Sequence, residues 1–363
     1  MRVLEEAVGM QERGHQIYLA VPPFSQLARQ AQKKGVPILP VKMSLWRWAF
    51  LVHQFLKIYD AYRIEIVNTH GSLDSWTASI AGRLSKCSPV VIRSRHKSTP
   101  VTPTFRHRWL YGKLSQAVIA TGESVRQGLI EKTGVLPSRI ISIPTGVDLT
   151  KFFPRKPDPL LKQKIGFGKN DHVVGTIAFL RDYKGVDVFL QAAALVIREK
   201  EQVKFLIVGD GPERENLEVL REKLGLSKHV YFLGFQENIP EILSIMDMVV
   251  LCSVRHEGVP QVLTQALAME KAVVATNVGS ISELVRDGVT GMLVSPQNPR
   301  ELSSRLLSLI EDERLRECLG QEGRKLIVDV YSRKMMLDKM EAWYREQLFW
   351  KSGGQGEMEK DLP

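Results

Sequence analysis

The sequence predicts an α/β protein made of two doubly wound, Rossmann-like domains. Its 363 residues are more than one hydrophobic core usually serves, at roughly 100 to 200 residues per domain. Short runs rich in Val and Ile alternate with segments of helical pattern, as expected for parallel sheets covered by helices. Four prolines and a loss of periodicity mark a linker at 144–159, between the two sets of strands.

The predicted elements follow in chain order. A helix opens the chain at 2–14, and a final helix is predicted at 334–350. The strands are predicted at 17–21, 64–69, 90–93, 117–121 and 140–143, and then at 173–178, 205–208, 230–233, 249–253, 272–276 and 292–294. We place the domains at 1–150 and 151–333, expect the final helix to pack back on the first domain, and expect a disordered tail at 351–363. Because ligands of open α/β sheets bind beyond the carboxyl ends of the strands, two such domains facing each other predict a cleft between their loop edges.

Composition narrows the class of protein. Charged residues make up 25% and hydrophobic residues 44% of the chain, which excludes disordered, collagen-like and disulfide-framework proteins. No apolar run approaches the roughly 18 to 20 residues that span a bilayer, and the first ten residues carry two glutamates where a signal peptide is apolar. Cys87, Cys252 and Cys318 match neither a zinc spacing nor a disulfide set. We therefore expect a cytoplasmic protein without a structural metal.

Positive charge is concentrated in the first half of the chain. Residues 1–150 hold 20 Lys and Arg against nine Asp and Glu, whereas residues 151–363 hold 30 against 31. This asymmetry favours an anionic partner for the first domain, namely a phospholipid surface, a phosphorylated acceptor or nucleic acid, with a solvated basic surface as the alternative. The amphipathic stretch 44–62 begins near Trp46, Arg47 and Trp48, and either dips into a membrane interface or packs on its own sheet.

The first candidate loop follows the strand at 173–178. Arg181 and Lys184 come just before a helix predicted to begin near Val186. Two cations stand there although the dipole of a helix favours anions at its start. An anionic ligand held by both side chains and the helix N-terminus would resolve this conflict, and two solvated loop residues are the alternative.

The second candidate loop is the turn Gly209, Asp210 and Gly211, which follows the strand at 205–208. A nicotinamide cofactor is not expected, because the Rossmann fingerprint needs a third small residue where this chain has Arg214. The turn either borders a nucleotide or is purely structural.

The third candidate loop precedes a helix that starts near Pro260. The amides of Gly258 and Val259 could hold a phosphate while the carboxylate of Glu257 accepts hydrogen bonds from hydroxyls, and a simple helix cap is the alternative for Glu257. The predicted helix has one face that includes polar residues and an opposite apolar face. The first comprises Gln261, Thr264, Gln265 and Ala268, and the second comprises Val262, Leu263, Ala266 and Leu267.

These motifs together resemble family 4 retaining glycosyltransferases of the GT-B fold. The resemblance is most specific in the second half, through LRDYKG, VGDGP, FLGF, HEGVPQVLTQALAMEKAVVAT and NVGSISELVRDGVTGMLV. In the first half it depends on NTHGSLDSW, VIRSRH and IPTGVDLTKF, so that it covers nearly the whole chain. It implies that the first domain binds the acceptor and the second domain binds the nucleotide sugar.

The resemblance also implies roles for individual residues. Lys184 matches the family's diphosphate-binding lysine, and Arg181 is a substitute for the partner arginine, whose usual position holds Phe179. Glu257 matches the acid that holds the donor sugar. Gln265 stands where a second acid usually binds the ribose hydroxyls, and its amide can still hydrogen-bond a diol. Two further departures are Glu270 and Ala272, which stand where family members commonly have Gly and Pro.

Two histidines of the first half are candidates for contact with the sugar or the acceptor. His70 ends a predicted strand and His96 follows another, and a surface or structural role is the alternative for each. His96 lies in a basic cluster that could receive an acceptor phosphate. The other members of the cluster are Arg93, Arg95, Lys97, Arg106, His107, Arg108 and Lys113.

The expected function is transfer of a sugar from a nucleoside diphosphate to a hydroxyl acceptor, with retention implied by the resemblance alone. We expect Arg181 and Lys184 to stabilise the leaving diphosphate, since the chain has no Asp-x-Asp metal motif, and we expect no cofactor. Lipid-linked or phosphorylated acceptors of cell-envelope polysaccharide or glycolipid synthesis fit a cytoplasmic enzyme at the inner membrane face. The alternatives are a nucleotide-sugar epimerase and a non-catalytic binder of nucleotide sugars or polyanions. Nucleic acid is not an expected partner, because no RNA-binding or helix-turn-helix motif is present.

The start of the chain departs from the family pattern. Family members begin with a strand and a glycine-rich loop, whereas this chain opens in a helix. We expect that translation begins upstream and adds roughly 15 to 20 residues that include such a strand. A divergent member with reduced activity is the alternative.

Overall fold

The computed structural model describes residues 2–168 and 170–353. The chain divides into two compact units, Met1–Pro144 with Met336–Pro363 (unit 1) and Thr145–Met335 (unit 2). These divisions lie a few residues from the expected domain boundaries. Residues 354–363 of the predicted tail lie outside the described residues.

The described residues of unit 1 form six parallel strands in two sheets. One sheet pairs β1 (Leu19–Val21) with β2 (Ile38–Pro40), and the other has the order β3 (Ile66–Thr69), β4 (Val90–Arg95), β5 (Ala117–Ala120) and β6 (Ile140–Ser142). Five of the strands were predicted and β2 was not. It has only three residues, one of them a proline, and proline cannot donate a ladder hydrogen bond.

The helices of unit 1 separate these strands. They are α1 (Arg2–Glu12), α2 (Gln26–Lys33), α3 (Trp48–Tyr62), α4 (Ser72–Leu84), α5 (Phe105–Trp109) and α6 (Glu123–Thr133). The amphipathic stretch 44–62 forms a 3-10 turn and then α3, whose residues Leu51, Val52 and Phe55 are buried against α4. The apolar face of this helix therefore packs within its own domain.

The described residues of unit 2 form one parallel sheet of six strands in the order β12-β11-β10-β7-β8-β9. All six strands match predicted ones, and the central four are continuous apolar runs because both faces of the sheet are covered there. They are β7 (Val173–Ile177), β8 (Lys204–Val208), β9 (Val230–Gly234), β10 (Met248–Leu251), β11 (Ala272–Thr276) and β12 (Met292–Val294). The helices are α7 (Pro159–Ile165), α8 (Val186–Glu199), α9 (Arg214–Lys223), α10 (Ile239–Ser244), α11 (Gln261–Ala268), α12 (Ile281–Leu284), α13 (Pro299–Glu311) and α14 (Glu313–Leu326).

The segment predicted as a linker is packed onto unit 2. Val147 is buried, and its backbone exchanges hydrogen bonds of 2.8 Å with Tyr331 and Arg333. Phe152 packs against the same core, and α7 begins at Pro159. The prolines limit the regular structure of this segment but do not keep its apolar side chains out of the core.

The last helix, α15 (Arg333–Lys351), belongs to unit 1 from Met336 onward. Met340 and Trp343 are buried in one cluster with Ile92 and Ile119 of the central strands. In the described part of the chain, no helix is both long enough and apolar enough to cross a membrane.

Candidate active site

Two loops of unit 2 meet where the strand order of the sheet reverses. Numbered within the unit, the order is 3-2-1-4-5-6, and the first and fourth strands, β7 and β10, are parallel neighbours. A backbone hydrogen bond of 2.8 Å from Val254 N to Tyr183 O joins the loops that leave their carboxyl ends. Ligands of doubly wound folds bind at such a reversal. The first and third candidate loops therefore lie side by side at the reversal of the strand order.

Gly185 allows these two loops to approach each other closely. Its φ is 63°, and a Cβ at this position would lie 2.0 Å from the carbonyl oxygen of Cys252. Glycine meets both conditions, since it has no Cβ and adopts positive φ readily. Because Gly185 directly precedes α8, the start of this helix and the adjacent Lys184 are held against the β10 loop.

Lys184 and Glu257 form an ion pair between the two loops. The Lys184 ammonium contacts Glu257 Oε1, and the Ser253 hydroxyl donates a hydrogen bond of 2.5 Å to the same oxygen. Both charged side chains are largely removed from water, so each depends on the other for compensation. The helix-cap alternative for Glu257 is wrong, because α11 is preceded by Pro260 and receives no side-chain cap.

Ser253 is a site residue that the sequence analysis missed. It is fully buried, and its carbonyl accepts a hydrogen bond of 2.5 Å from Thr276 Oγ1. The backbone of Glu257 is held as well, through a 3.0 Å hydrogen bond from Ser280 N to its carbonyl. The available signal was a serine four residues before Glu257 at a strand end, which is too common a pattern to single out.

Arg181 does not share the contacts of Lys184. Its guanidinium lies 5.0 Å from the centroid of the Phe179 ring, and its exposed side chain lines a shallow pocket between α8 and α9. Asp187, Glu213 and Asn216 also line this pocket. The structure therefore places the two predicted cations in one loop but in different surroundings.

The turn at Gly209 and Gly211 supports the loop that carries Lys184. Their φ angles are 123° and 158°, and a Cβ would lie 1.9 Å from the Ala178 carbonyl oxygen or 2.4 Å from that of Leu180. Asp210 is exposed and accepts a hydrogen bond from Gly211 N, while its own carbonyl accepts one from Leu180 N. Close packing against the β7 loop is therefore sufficient reason for both glycines.

The remaining residues of the third candidate segment lie just before α11 or on it. Gly258 is half-buried, Val259 is buried and Gln265 is half-buried. The predicted division of faces is only partly correct, because Thr264 and Ala268 are fully buried. The helix contacts β10 and β11 on one side and α14 on another, so its open face is narrower than the periodicity suggests.

In unit 1, His70 and His96 form a direct pair. Each directly follows a strand, and these strands, β3 and β4, are parallel neighbours. The Nδ1 atom of His70 lies 2.7 Å from Nε2 of His96, and the rings lie edge to edge with centroids 5.0 Å apart and planes inclined by 12°. One ring must donate its N–H to the other as a hydrogen bond, because two facing protonated nitrogens would repel. In the sequence each histidine is a separate candidate, although their equal offsets from neighbouring strands are a signal that they meet.

The surroundings of the pair keep both rings neutral. Burial is the main cause that lowers the pKa of His70 to about 4; Asp74 opposes this shift, and the positive charges of Arg2 and Arg93 add to it. Desolvation, followed by the charge of His70, lowers the pKa of His96 to about 4, although the His96 side chain is partly exposed to water. At neutral pH the pair can therefore exchange hydrogen bonds with hydroxyls as donor and acceptor.

The basic cluster around His96 is only partly available for a phosphate. Arg93 is buried, donates to the Gly71 carbonyl and the Ser75 hydroxyl, and lies over the Tyr111 ring. Arg95 donates to the Thr99 carbonyl at 2.5 Å. These two arginines hold loops of unit 1 in place, so they are less available for an acceptor phosphate than the other members of the cluster.

The fold and the site define a class of protein. Unit 2 is a doubly wound sheet with a cation, a carboxylate and a helix start at its reversal point, which is the arrangement of an α/β enzyme that binds an anionic nucleotide. Among residues 2–168 and 170–353, no group of three or more His, Cys, Asp and Glu side chains could hold a metal ion.

Comparison with known proteins identifies the family. Residues 1–151 match the model of Glycosyltransferase Family 4, and residues 158–326 match that of Glycosyl transferases group 1. The chain belongs to the family 4 glycosyltransferases and has the GT-B fold, which confirms the predicted family, fold class and type of enzyme. The epimerase and non-catalytic alternatives are not favoured.

Individual relatives match most of the chain. The N-acetyl-alpha-D-glucosaminyl L-malate synthase of Bacillus anthracis is 28% identical, over 90% of this chain and 80% of its own length. The UDP-Gal:alpha-D-GlcNAc-diphosphoundecaprenol alpha-1,3-galactosyltransferase of Escherichia coli is 27% identical, over 85% and 82%. Among solved structures, Anabaena HepE in complex with UDP has a TM-score of 0.84 at 21% identity and covers 95% of each chain, which supports the fold.

Proposed function

We propose that this enzyme transfers a sugar from a nucleoside diphosphate to a hydroxyl acceptor, with retention, in the synthesis of a cell-envelope polysaccharide or glycolipid. The ion pair of Lys184 and Glu257 at the sheet reversal carries the proposal. UDP-sugars are the first donors to test, because the names of the E. coli relative and of the HepE complex include UDP.

The two members of the ion pair have different tasks in this reaction. As the sugar leaves, negative charge grows on the nucleoside diphosphate, and the Lys184 ammonium and the start of α8 stabilise it. Once the diphosphate pairs with the Lys184 ammonium, the Glu257 carboxylate can accept hydrogen bonds from the sugar hydroxyls. Ser253 keeps the carboxylate oriented during this exchange. Arg181 reaches the diphosphate only if its side chain leaves Phe179, so we assign it a smaller contribution.

The other predicted residues complete the donor and acceptor sites. The amides of Gly258 and Val259 bind the diphosphate, Gln265 binds the ribose, and the turn at Gly209 and Asp210 borders the nucleotide. His70 and His96 contact the sugar or the acceptor hydroxyl as a neutral pair. A lipid-linked or phosphorylated acceptor is supported by the basic first half of the chain and by the diphosphoundecaprenol named for the E. coli relative.

Substitution of Lys184 tests the proposed function. Lys184→Ala should lower the rate of transfer from a UDP-sugar by about two to three orders of magnitude, as expected for loss of one preorganised charge at a developing anion. Lys200→Ala is the matched control, because Lys200 also pairs with a glutamate of unit 2, at 2.8 Å from Glu311, and its rate should stay near that of the wild type. Release of UDP separates transfer from epimerisation. A folded Lys184→Ala protein with nearly normal turnover would refute the assignment.

A further inference from the structure

The start of α3 exposes three aromatic side chains in succession. Trp46 is 95% exposed, Trp48 is 55% exposed and Phe50 is 41% exposed. The Arg47 guanidinium lies 4.7 Å from the centroid of the Phe50 ring, so a cation stands among them. The buried residues of α3 lie further along the helix. These aromatic residues are not among the buried residues of the core, and each leaves a large part of its side chain in contact with water.

A fourth exposed aromatic residue follows a strand of the small sheet at the same edge. Strands β1 and β2 are parallel, with Val21 opposite Pro40. Phe24, which is 86% exposed, follows the carboxyl end of β1, and the loop with Trp46 follows that of β2. Exposed apolar groups that are gathered in one region of a surface usually mark a contact with a partner.

The charge of this region selects the partner. Residues 13–59 contain seven Lys and Arg and no Asp or Glu, although Arg13 and Lys34 pair with carboxylates from outside this segment. Of these, Lys42 and Arg47 are exposed beside the aromatic residues. Such a segment is attracted to an anionic surface, and two copies of it would repel each other. Tryptophan in turn is enriched at the boundary between lipid head groups and acyl chains, where its ring is apolar and its N–H is polar.

We propose that Phe24, Trp46, Trp48 and Phe50, which we call the aromatic edge, insert into the interface of an anionic lipid bilayer. Lys42 and Arg47 contact the lipid phosphates, while α3 stays packed in unit 1. Insertion removes apolar surface from water and the basic residues add electrostatic attraction, which together make interfacial binding reversible and dependent on lipid charge. This inference depends on the proposed function only for the acceptor, since binding to lipid needs neither donor nor turnover.

Vesicle binding of the full chain tests the proposal. The wild type should sediment with vesicles that contain phosphatidylglycerol at least about tenfold more tightly than with pure phosphatidylcholine. The double variant Trp46→Ser, Trp48→Ser should lose about tenfold in affinity for the anionic vesicles, whereas Trp350→Ser should not. Trp350 is a matched control because it is also 55% exposed and lies on α15 beside Glu346. Both substituted residues are at the surface, so equal melting temperatures are expected.

The outcomes separate this proposal from its rivals and from the proposed function. Equal binding of the double variant and the wild type, or no preference for anionic vesicles, overturns it. A dimer that the double variant abolishes, without lipid binding, assigns the aromatic edge to a second copy instead. Lys184→Ala should bind vesicles normally while losing transfer. If the protein does not bind vesicles but still transfers sugar to a soluble acceptor, the lipid-binding proposal is rejected and the proposed function is not affected.

Discussion

Lys184 and Glu257 neutralise each other, so the anionic ligand proposed for this site must compete with a carboxylate for the lysine. Such competition is possible because the Glu257 carboxylate would keep its hydrogen bond from the Ser253 hydroxyl if Lys184 paired with the ligand instead. Loss of either member would leave a largely buried charge without compensation. The pair therefore preorganises the site at the reversal of the sheet and keeps both groups in place for a ligand.

Gln265 provides a prediction for the nucleotide. If it binds the donor ribose, Gln265→Glu should keep or tighten the affinity for UDP, and Gln265→Leu should weaken it by about 1 to 3 kcal/mol, because ribose hydroxyls would be buried without a partner. Titration calorimetry with UDP measures both. Gln163→Leu, at an exposed position of α7, is the control and should bind UDP as the wild type does. Equal affinity of the Gln265→Leu variant would place the ribose elsewhere.

The histidine pair predicts a pH dependence of stability. Both rings have pKa values of about 4 in the folded protein, below the ordinary 6.5, so the unfolded chain binds more protons between these limits. The free energy of unfolding should therefore fall as the pH drops from about 6.5 to about 4, and this contribution should be constant above that range. His70→Asn should reduce the slope by at most about 1.4 kcal/mol per pH unit, the value for one proton. Urea unfolding at several pH values measures it, and an unchanged slope would mean that the His70 ring titrates normally.

At the scale of elements, the junction of α11 and β11 explains a departure from the family pattern. Glu270 has a φ of 57°, in the left-handed region that favours glycine, and family members commonly have glycine at this position according to the resemblance. Helix α14 holds this turn in place, because its Arg324 donates a hydrogen bond to the Ala268 carbonyl and lies 3.6 Å from the Glu270 carboxylate. Packing against α14 thus keeps a strained backbone in place.

Glycine at this position should stabilise unit 2. Glu270→Gly relieves the left-handed strain and removes only a partly exposed ion pair, so the free energy of unfolding should rise by about 1 kcal/mol. Glu270→Ala is the matched control, since it removes the same ion pair but keeps Cβ and should give no gain. Thermal and urea unfolding of the three proteins decide the matter. Equal stability of the two variants would show that the backbone is not strained here.

At the scale of the whole molecule, the chain returns to unit 1 after it has built unit 2. Helix α15 covers the central strands of unit 1 through Met336, Met340 and Trp343. Arg13 of the segment after α1 also pairs with Asp338 at 2.6 Å and Glu341 at 2.8 Å. The two ends of the described chain therefore belong to one domain. Contacts in this domain join residues more than 300 positions apart in sequence.

Truncation of one tryptophan tests this dependence. Trp343→Ala removes a ring that is 6% exposed and should lower the free energy of unfolding of unit 1 by about 3 to 5 kcal/mol. Trp350→Ala, on the same helix but half exposed, should cost about 0.5 kcal/mol or less. Urea unfolding compares the two variants. If they were equally stable, α15 would contribute little to the core of unit 1.

The sequence was sufficient where the information is local. Short apolar runs, many of them rich in Val and Ile, predicted all six strands of unit 2. A buried parallel strand is apolar along its own length, so it can be found without knowledge of its neighbours. The ordered motifs predicted the family, and the strand ends predicted the loops that carry the candidate residues. Local pattern was insufficient for β2, where Pro40 obscures the strand, and for α11, where a second neighbour buries Thr264 and Ala268.

The sequence by itself determined the fold class, the family and the loops that carry the candidate residues. Only the tertiary structure decided which side chains meet: Lys184 with Glu257 across 73 positions, His70 with His96, and Ser253 with Glu257, while Arg181 lies apart over Phe179. The physical reason is that periodicity and turn chemistry act between neighbours in the chain. The distance between two loops depends instead on the order of strands in the sheet, which the residues of a loop do not specify. Gly185 permits the close approach only once that order has brought the two loops together.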